Sequence, residues 1–231
     1  ECSKVYPTFG KDFNALLNQS YPIDVKIINP NTNLEETVQL TKESIALTFR
    51  SLLAVPTFTQ QIPFMISETK KGNYKILAQL ILRIKISYSR GIYTGMRLCV
   101  MCYEDYPKIL RTKLDKSDKT FLGDIWTNRV MNACKIWNPT LKEAIDVEYK
   151  KQNIPVLLIS GKRDSATPPK YGDEVLKYFP NGKHIIIDAG HSFDRMLNCV
   201  EHIINDFVIS GSNSQLNLGC INTIKFPDFK L

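Results

Sequence analysis

Long apolar runs are missing from this sequence of 231 residues. A helix that crosses a bilayer needs roughly 18 or more consecutive apolar residues. The continuous apolar runs here, such as Val156 to Ile159 and Ile185 to Ile187, have only the length of a strand, so we predict no membrane span. The first residue is Glu1 rather than Met, and no signal-like segment precedes it. We therefore expect a processed or cut chain, in which any targeting signal would have lain upstream.

Clusters of basic residues are also scarce, although the net charge is +7. Phosphate binding needs Lys and Arg side chains that are grouped together. The basic pairs at 70–71, 150–151 and 162–163 lie far apart, acidic residues lie between many of the basic ones, and no aromatic residues alternate with them as in a base-stacking surface. These pairs predict a solvated surface, and we predict no nucleic-acid partner.

The six cysteines supply no metal-binding or redox pattern. Cys99 and Cys102 form a single C-x-x-C without a second pair at the spacing of zinc ligands, so we predict neither a metal ion nor another cofactor. Cys199 and Cys220 bracket a helix-like stretch and a polar turn, where a disulfide bond would hold the C-terminal tail. Cysteines at both ends and in the middle favour an oxidising compartment, and hence a secreted or periplasmic protein.

A serine in the G-x-S-x-G pattern is missing as well. That pattern forms a sharp turn between a strand and a helix and exposes the serine hydroxyl. The only glycines four residues apart are Gly91 and Gly95, and Tyr93 stands between them. Ser160 directly follows a predicted strand and Ser192 is adjacent to a histidine, so neither has the geometry of such a turn. We assign neither of them as a nucleophile.

Residues 1–95 have the pattern of a mainly helical region, which we interpret as a cap or lid. Apolar residues recur at helical spacing in several segments, and two alternating segments flank the polar turn at 29–33. Thr41 is the predicted N-cap of a helix, with Ser44 at the position of the capping-box partner. The predicted helices span 6–17, 41–53, 63–69 and 74–84, and the predicted strands span 24–28 and 36–40.

Residues 96–231 contain the part that we assign to a sheet core. The apolar run that ends at Ile159 is typical of a buried parallel strand. Residues 170–179 predict a helix with Tyr171, Val175 and Tyr178 or Phe179 facing inward. Residues 184–189 predict a second strand, and residues 196–208 predict a further helix. A strand, a helix and a strand in this order imply a parallel crossover, so the fold class is α/β.

Asp164 and His191 are the candidate catalytic residues. Each follows one of these strands by a few residues, and functional groups gather at the carboxyl ends of parallel strands. A histidine that acts as a general base needs a carboxylate to fix its tautomer and to stabilise the imidazolium. Each residue alone is more often a turn former or a loop residue, but together they favour an acid–base pair. We expect packing or surface roles for His184 and His202.

Several sequence motifs carry a family resemblance. The most specific are I-P-V-L-L-I-S-G-K-R-D-S-A-T-P-P at 154–169, F-P-N-G-K-H at 179–184 and Gly190-His191, followed by Cys199 and Cys220. They resemble the C-terminal part of tripeptidyl-aminopeptidase-like and prolyl-aminopeptidase-like α/β-hydrolases. The segments C-S-K-V-Y-P at 2–7, V-M-C-Y-E-D-Y-P at 100–107 and C-K-I-W at 134–137 resemble the cap, and the strand that follows it, in the same family. The resemblance covers nearly the whole chain.

This resemblance implies an incomplete α/β-hydrolase fold, in which a mainly helical cap at 1–95 precedes the last strands of a parallel sheet at 96–231. It implies that Asp164 orients His191, and that His191 activates a serine for acylation and later assists deacylation. It also implies two disulfide bonds, with Cys2 and Cys99 left without a partner in this chain. The implied pairs are Cys199 with Cys220 and Cys102 with Cys134.

Glu104 is the expected substrate-binding residue. An aminopeptidase binds the free ammonium group of its substrate, and a buried carboxylate in or beside the cap is the natural partner for that group. The partner that the resemblance implies is therefore a peptide with a free amino end. The alternative for Glu104 and Asp105 is that they only end a strand and begin a loop.

The missing serine leaves three functions open. In the first, the chain is the cap and C-terminal half of a serine aminopeptidase, either as a gene fragment or as one piece of a cleaved protein whose companion N-terminal segment carries the nucleophile. Alternatively, it is a non-catalytic remnant that binds a peptide or a partner, or it belongs to an esterase on the same fold. A sheet that keeps only its last strands exposes an unpaired edge, so we expect the isolated chain to aggregate or to pair with another chain.

Overall fold

The structure, a computed structural model, describes residues 2–111, 120–137, 149–193 and 197–229. The chain divides into two compact units. We call residues 6–49 and 65–147 the helical unit, and residues 1–5, 50–64 and 148–231 the sheet unit.

The elements in chain order are α1 (Cys2–Val5), α2 (Phe9–Asn18), β1 (Ile23–Ile28), β2 (Glu35–Leu40), α3 (Lys42–Leu53), α4 (Pro56–Thr59), α5 (Ile62–Lys70), α6 (Lys75–Gly91), α7 (Thr94–Val100), a π-helical turn (Met101–Asp105), α8 (Tyr106–Arg111), α9 (Ile125–Trp137), β3 (Val156–Gly161), α10 (Pro169–Leu176), β4 (Gly182–Ile187), α11 (Leu197–Ser210) and a 3₁₀ helix (Gly219–Thr223).

The helical unit contains the predicted β-hairpin. Strands β1 and β2 pair antiparallel, with Ile23 opposite Leu40. Because successive side chains point to opposite faces of a strand, the apolar positions near the middle of each strand are buried while the polar ones face solvent. On the solvent face Lys26 Nζ lies 3.0 Å from a carboxylate oxygen of Glu35. The alternating pattern of the sequence therefore predicts this hairpin correctly.

Helix α3 begins with the predicted cap. The Ser44 N–H donates to Thr41 Oγ1 at 3.0 Å, and the Thr41 N–H donates to Ser44 Oγ at 2.9 Å. These reciprocal bonds satisfy backbone donors that the first helical turn leaves unpaired. Serine thus occupies the place that Glu or Gln usually takes in a capping box, as the sequence predicts.

The hairpin and helices α2, α3, α5 and α6 bury the main apolar residues of the helical unit. The Phe13 ring meets two other aromatic rings edge-on, Phe49 at 5.2 Å and Phe121 at 5.5 Å between centroids. Such T-shaped contacts add to the area that the rings bury. The most completely buried members of this core are Leu16, Leu17, Ile27, Leu40, Ile45, Ala46, Phe49, Met65, Ile66, Leu77, Ala78 and Leu82.

A second cluster in the helical unit surrounds the disulfide bond between Cys102 and Cys134. Here the prediction of a strand near residues 100–107 is wrong, because α7, the π-helical turn and α8 follow one another without a break. The physical reason is the spacing of the buried residues. Cys102 and Tyr106 are four residues apart and share one helical face, which packs on Val130 and Cys134 of α9 at the same spacing.

The sheet unit contains the predicted strand–helix–strand segment. Strands β3 and β4 are parallel, with Val156 opposite Gly182 and Gly161 opposite Ile187. Among the described residues, β4 is the only strand that pairs with β3. Most of β3 is therefore only half-buried although its sequence is apolar, whereas a parallel strand is usually covered on both sides.

Helix α10 packs on the sheet with a different face from the predicted one. Tyr171 and Val175, predicted to face inward, are exposed. The contacts come instead from Gly172 and Leu176: a Cβ atom added at Gly172 would touch the ring of His184, and Leu176 lies against Gly182. Gly172 and Leu176 are one helical turn apart and lie on the same face of α10. The face that carries the glycine is therefore the one that packs on the strands.

The opposite face of the sheet carries the apolar core of this unit. Val200 and Ile203 of α11 pack with Ile185 and Ile187 of β4. The disulfide bond between Cys199 and Cys220 lies against this core and links α11 to the 3₁₀ helix. Both disulfide bonds implied by the family resemblance are thus present. Cys99 is a free, exposed cysteine, and the pairing of Cys2 lies outside what the structure describes.

The predicted domain division at residues 95 and 96 stays a prediction, and the compact units of the structure have other bounds. The described residues 96–111 and 120–137, assigned from sequence to the core part, belong to the helical unit, and residues 50–64, assigned to the cap, belong to the sheet unit. The disulfide bond and the buried cluster around it hold α7, α8 and α9 together as helices. None of the helices in the described ranges is long and apolar enough to cross a membrane.

Candidate active site

The loops that follow β3 and β4 run side by side. Beyond the end of the strand pair, the Lys162 N–H donates to the carbonyl of Ile187 at 2.7 Å, and the Arg163 N–H donates to the carbonyl of Ala189 at 2.9 Å. These bonds continue the contact between the strands into the loops. As a result, the loop that carries Asp164 lies against the loop that carries His191.

Arg163 fixes the same loop through its side chain. Its Nε lies 3.3 Å from Asp188 Oδ1, and its guanidinium lies 4.2 Å from the centroid of the Phe226 ring. The Phe226 N–H donates to the other oxygen of Asp188 at 3.2 Å. A cation over an aromatic face is attracted by the ring. The C-terminal tail is therefore held beside the Asp164 loop.

The carboxylate of Asp164 is buried and fully hydrogen-bonded. Its Oδ1 accepts the backbone N–H groups of Ala166 and Thr167, both at 2.8 Å. Its Oδ2 lies 2.8 Å from the Thr167 hydroxyl and 2.9 Å from His191 Nδ1. Four partners occupy the positions at which a carboxylate can accept hydrogen bonds. Only 6% of the Asp164 side chain is exposed, so it holds one orientation.

The contact with Asp164 fixes the tautomer of His191. A carboxylate can only accept hydrogen bonds, so the Nδ1 atom of a neutral His191 carries the proton and Nε2 keeps its lone pair. Among the described residues, no hydrogen bond reaches Nε2. The side chain is 49% exposed, so this nitrogen can accept a proton from a group outside the sheet unit's core. The pair has the arrangement of a general base and its orienting carboxylate.

Burial and hydrogen bonding act in opposite directions on Asp164. Burial is the largest single influence and opposes ionisation. The hydrogen bonds from the Thr167 N–H, His191, the Thr167 hydroxyl and the Ala166 N–H together outweigh it, so the pKa of Asp164 lies below its ordinary value. The carboxyl group is therefore ionised at neutral pH, as an orienting carboxylate must be.

This lowered pKa predicts how Asp164 affects stability at different pH values. Ionised Asp164 stabilises the fold above the ordinary pKa of about 3.9, and this contribution is lost as the pH falls through the lower pKa of the folded chain. We expect Asp164→Asn to lower the free energy of unfolding at pH 7 by about 1–3 kcal/mol, and the difference to shrink below pH ~4. Urea unfolding across this pH range measures it. Asp206→Asn, at an exposed position, is the control, and an equal pH dependence in both variants would contradict the assignment.

Gly161 allows the two loops to approach so closely. A Cβ atom added at this position would lie 1.9 Å from the carbonyl oxygen of Gly190 and 2.7 Å from that of Ala189. Both are backbone atoms, so neither can rotate away. Gly190 in turn lies against the carbonyl of Ala54, which accepts the Ser192 N–H at 3.0 Å. Residues on both sides of His191 are therefore fixed.

We expect Gly161→Ala to destabilise the sheet unit by about 3 kcal/mol or more, because the added methyl group forces the loops apart. The measurement is the free energy of unfolding from urea denaturation. Gly10→Ala is the matched control: its Cβ atom would meet nothing within 4 Å, and alanine is a better helix former than glycine in the first turn of α2, so we expect a change of at most about 1 kcal/mol, towards stability. A similar loss in both variants would show that the contact at Gly161 is unimportant.

Glu104, the predicted substrate-binding residue, lies in the π-helical turn of the helical unit. Its side chain is exposed rather than buried, because the turn buries Cys102 and directs Glu104 and Asp105 to solvent. Residues 104 and 105 therefore neither end a strand nor begin a loop. Glu104 remains an accessible carboxylate, and its predicted role is untested.

Two features of the site were not predicted from sequence. Thr167 completes the hydrogen bonds of Asp164, and its hydroxyl oxygen lies 3.1 Å from His191 Nδ1. The sequence feature that could have predicted Thr167 is the Asp-x-x-Thr spacing, which is typical of a carboxylate that accepts the N–H groups two and three residues later. The second feature is the position of Ser160, which lies within β3 and not after it.

Within the part of the chain that the structure describes, no group of His, Cys, Asp and Glu side chains could hold a metal ion.

Residues 119–220 match the family model of an α/β-hydrolase group described as TAP-like protein. The chain carries a TAP-like α/β-hydrolase region. This TAP-like region contains Asp164, His191 and both cysteines of the 199–220 disulfide bond, whereas Glu104 precedes it. No curated protein and no solved structure matches the chain significantly. The matched family belongs to the α/β-hydrolases. The mixed helices and strands of this chain agree with that fold.

Proposed function

We propose that this chain supplies the acid–base half of a Ser-His-Asp site in a serine hydrolase of the aminopeptidase type. The observation that carries the proposal is the 2.9 Å contact between Asp164 Oδ2 and His191 Nδ1, with the carboxylate buried and Nε2 free of hydrogen bonds from the described residues. The nucleophilic serine comes from a companion segment, since this chain contains no G-x-S-x-G.

In this proposal His191 transfers a proton twice in each half-reaction. Its Nε2 takes the proton of the serine hydroxyl while the serine oxygen bonds to the peptide carbonyl carbon. The same proton then goes to the leaving amine as the peptide C–N bond breaks, which leaves an acyl-enzyme. Water repeats the sequence in deacylation and regenerates the serine. Asp164 keeps Nδ1 protonated and stabilises the imidazolium at each stage.

The edge of β3 supports a companion segment that brings further strands. Among the described residues β3 pairs with β4 alone, and Ile154, two residues before β3, is exposed. An apolar parallel strand with an open edge is prone to pair with another strand. A non-catalytic remnant is the alternative favoured by the missing serine, and an esterase on the same fold is the other.

The substrate in this proposal is a peptide with a free amino end, and the proposed binding residue for its ammonium group is Glu104. We expect Glu104→Gln to raise the KM for free-amine peptides about tenfold, because a charge-assisted hydrogen bond contributes roughly 1.5–3 kcal/mol. The kinetics of the completed enzyme measure this. Asp105→Asn, the adjacent exposed residue, is the control. Unchanged kinetics in the Glu104 variant would remove this residue from the site.

An extracellular or periplasmic location is part of the proposal. Two disulfide bonds support it, since such bonds persist in oxidising compartments.

The experiment is to combine this chain with the polypeptide encoded directly upstream that carries G-x-S-x-G. We expect neither piece alone to hydrolyse aminoacyl or tripeptidyl arylamides, and the mixture to hydrolyse them in preference to N-acetylated analogues and simple esters. Preference for esters would favour the esterase. A mixture that forms a complex but hydrolyses neither class would favour the non-catalytic remnant.

A further inference from the structure

A second histidine of the sheet unit, His184, is hydrogen-bonded through both ring nitrogens. Its Nδ1 lies 2.8 Å from Asp173 Oδ1, and its Nε2 lies 2.8 Å from Ser160 Oγ. The carboxylate can only accept, so Nδ1 of the neutral ring carries the proton and Nε2 accepts the Ser160 hydroxyl. Only 4% of the His184 side chain is exposed.

The two partners of His184 lie on either side of the segment that carries Asp164. Ser160 precedes the last residue of β3, and Asp173 lies on α10, which begins after the loop. Asp164 and Thr167 lie between them in the sequence. A single imidazole ring on β4 therefore joins the strand before the loop to the helix after it.

Packing around the ring restricts its position. A Cβ atom added at Gly172 would lie 2.5 Å from the Cε1 atom of His184 and 2.6 Å from its Nε2 atom. Only a glycine at this position leaves the ring its present place, so the backbone of α10 lies directly on it. The imidazole thus fixes the separation of α10 from the sheet as well as the direction of its own hydrogen bonds.

Ser160, His184 and Asp173 have the residue types of a catalytic triad, but their setting differs from that of His191. Ser160 lies within a regular strand rather than at an exposed turn. Both ring nitrogens of His184 are engaged within one unit, and the ring is buried, whereas His191 is half-exposed. This geometry suits a structural connection better than a second nucleophilic site.

We infer that His184 is a positioning residue: by joining β3 to α10 it sets the span of the loop between them, so that Asp164 reaches Nδ1 of His191. Its consequence for catalysis rests on the proposed function. The effect of His184 on the Asp164–His191 contact does not rest on that function, because both residues of the contact belong to this chain. The inference can therefore fail or hold independently of any hydrolase activity.

The test uses long-range ¹H–¹⁵N NMR spectra of the histidine rings in the full chain, at pH ~8.5, where histidine is in general neutral. The sequence has only three histidines, so each ring can be assigned by its own substitution. Asp173→Ala removes the Nδ1 partner of His184 at a site where the carboxylate is 62% exposed. Glu174→Ala, the next exposed residue on α10, is the matched control.

We expect Asp173→Ala to convert His191 from the pure Nδ1–H tautomer to a mixture of tautomers, and Glu174→Ala to leave His191 unchanged. Ser160→Ala, which breaks the other end of the connection, should act in the same direction as Asp173→Ala. A change confined to the His184 signals, with His191 unchanged, would overturn the inference, because a merely local packing role predicts that result.

A double-mutant cycle gives a second measurement. In the unaltered chain we expect Asp164→Asn to change the unfolding equilibrium constant about tenfold, and in the Asp173→Ala background about threefold or less. Independent sites give the same factor in both backgrounds. Equal factors would therefore also overturn the inference.

Discussion

His191→Ala is expected to lower kcat/KM of the proposed, companion-completed hydrolase by about 10⁴-fold or more, because in that proposal the serine then has no base to take its proton. Asp164→Asn should reduce the rate by a comparable factor: the amide can donate to Nδ1, which favours the tautomer with its proton on Nε2. Both substitutions act at the 2.9 Å contact between these residues. Steady-state kinetics on a free-amine arylamide substrate measure the loss.

The matched control is His202→Ala, which removes an exposed histidine on α11. We expect kcat/KM within about twofold of the unaltered enzyme in that variant. A loss of less than tenfold in His191→Ala, with the variant folded, would show that another residue acts as the base.

The second large effect concerns the disulfide bond between Cys102 and Cys134. Replacing both residues by alanine is expected to lower the free energy of unfolding of the helical unit by about 3–4 kcal/mol, from the chain entropy of a loop of this length. The bond closes a sequence separation of 32 residues, and both cysteines are fully buried beside Tyr106 and Val130. The loss of packing around the two sulfur atoms acts in the same direction. Thermal and urea unfolding measure the change.

Cys99→Ala provides the control for this experiment, since Cys99 is exposed and has no disulfide partner. We expect its effect to remain within about 0.5 kcal/mol. If the double alanine variant were as stable as the Cys99 variant, the disulfide bond would not hold α9 to the preceding helices.

Local patterns were sufficient to predict several elements of the fold. The alternation at 24–28 and 36–40 predicts the β1–β2 hairpin, and the Thr41 and Ser44 hydroxyls predict the start of α3, because in both cases neighbours along the chain determine the structure. The parallel pairing of β3 with β4 follows from the strand, helix, strand order. These predictions depend on few contacts between distant residues.

Predictions failed where distant contacts decide the structure. The helical state of residues 100–107 depends on burial of Cys102 and Tyr106 against α9, which the local sequence does not reveal. The orientation of α10 depends on the fit of Gly172 to a ring from β4. Hydrophobicity alone favoured Tyr171 and Val175, but the space between helix and sheet accepts only the small residue.

The candidate site was predicted in part. The sequence placed Asp164 and His191 after neighbouring parallel strands, and the structure brings their side chains together. Thr167 and the Ser160–His184–Asp173 connection were not predicted, since their roles depend on the path of the loop and on the approach of α10. Polar side chains whose partners lie in other elements give a weak signal in a single sequence.

Labelling with a fluorophosphonate probe tests the central claim most directly, because the probe reacts only with an activated serine. We predict that this chain alone is not labelled, that the G-x-S-x-G companion is labelled when the unaltered chain is present, and that His191→Ala abolishes this labelling while His202→Ala does not. Labelling of this chain by itself, or labelling of the companion at the same rate with the His191 variant, would contradict the proposal that this chain supplies the base for a serine it does not contain.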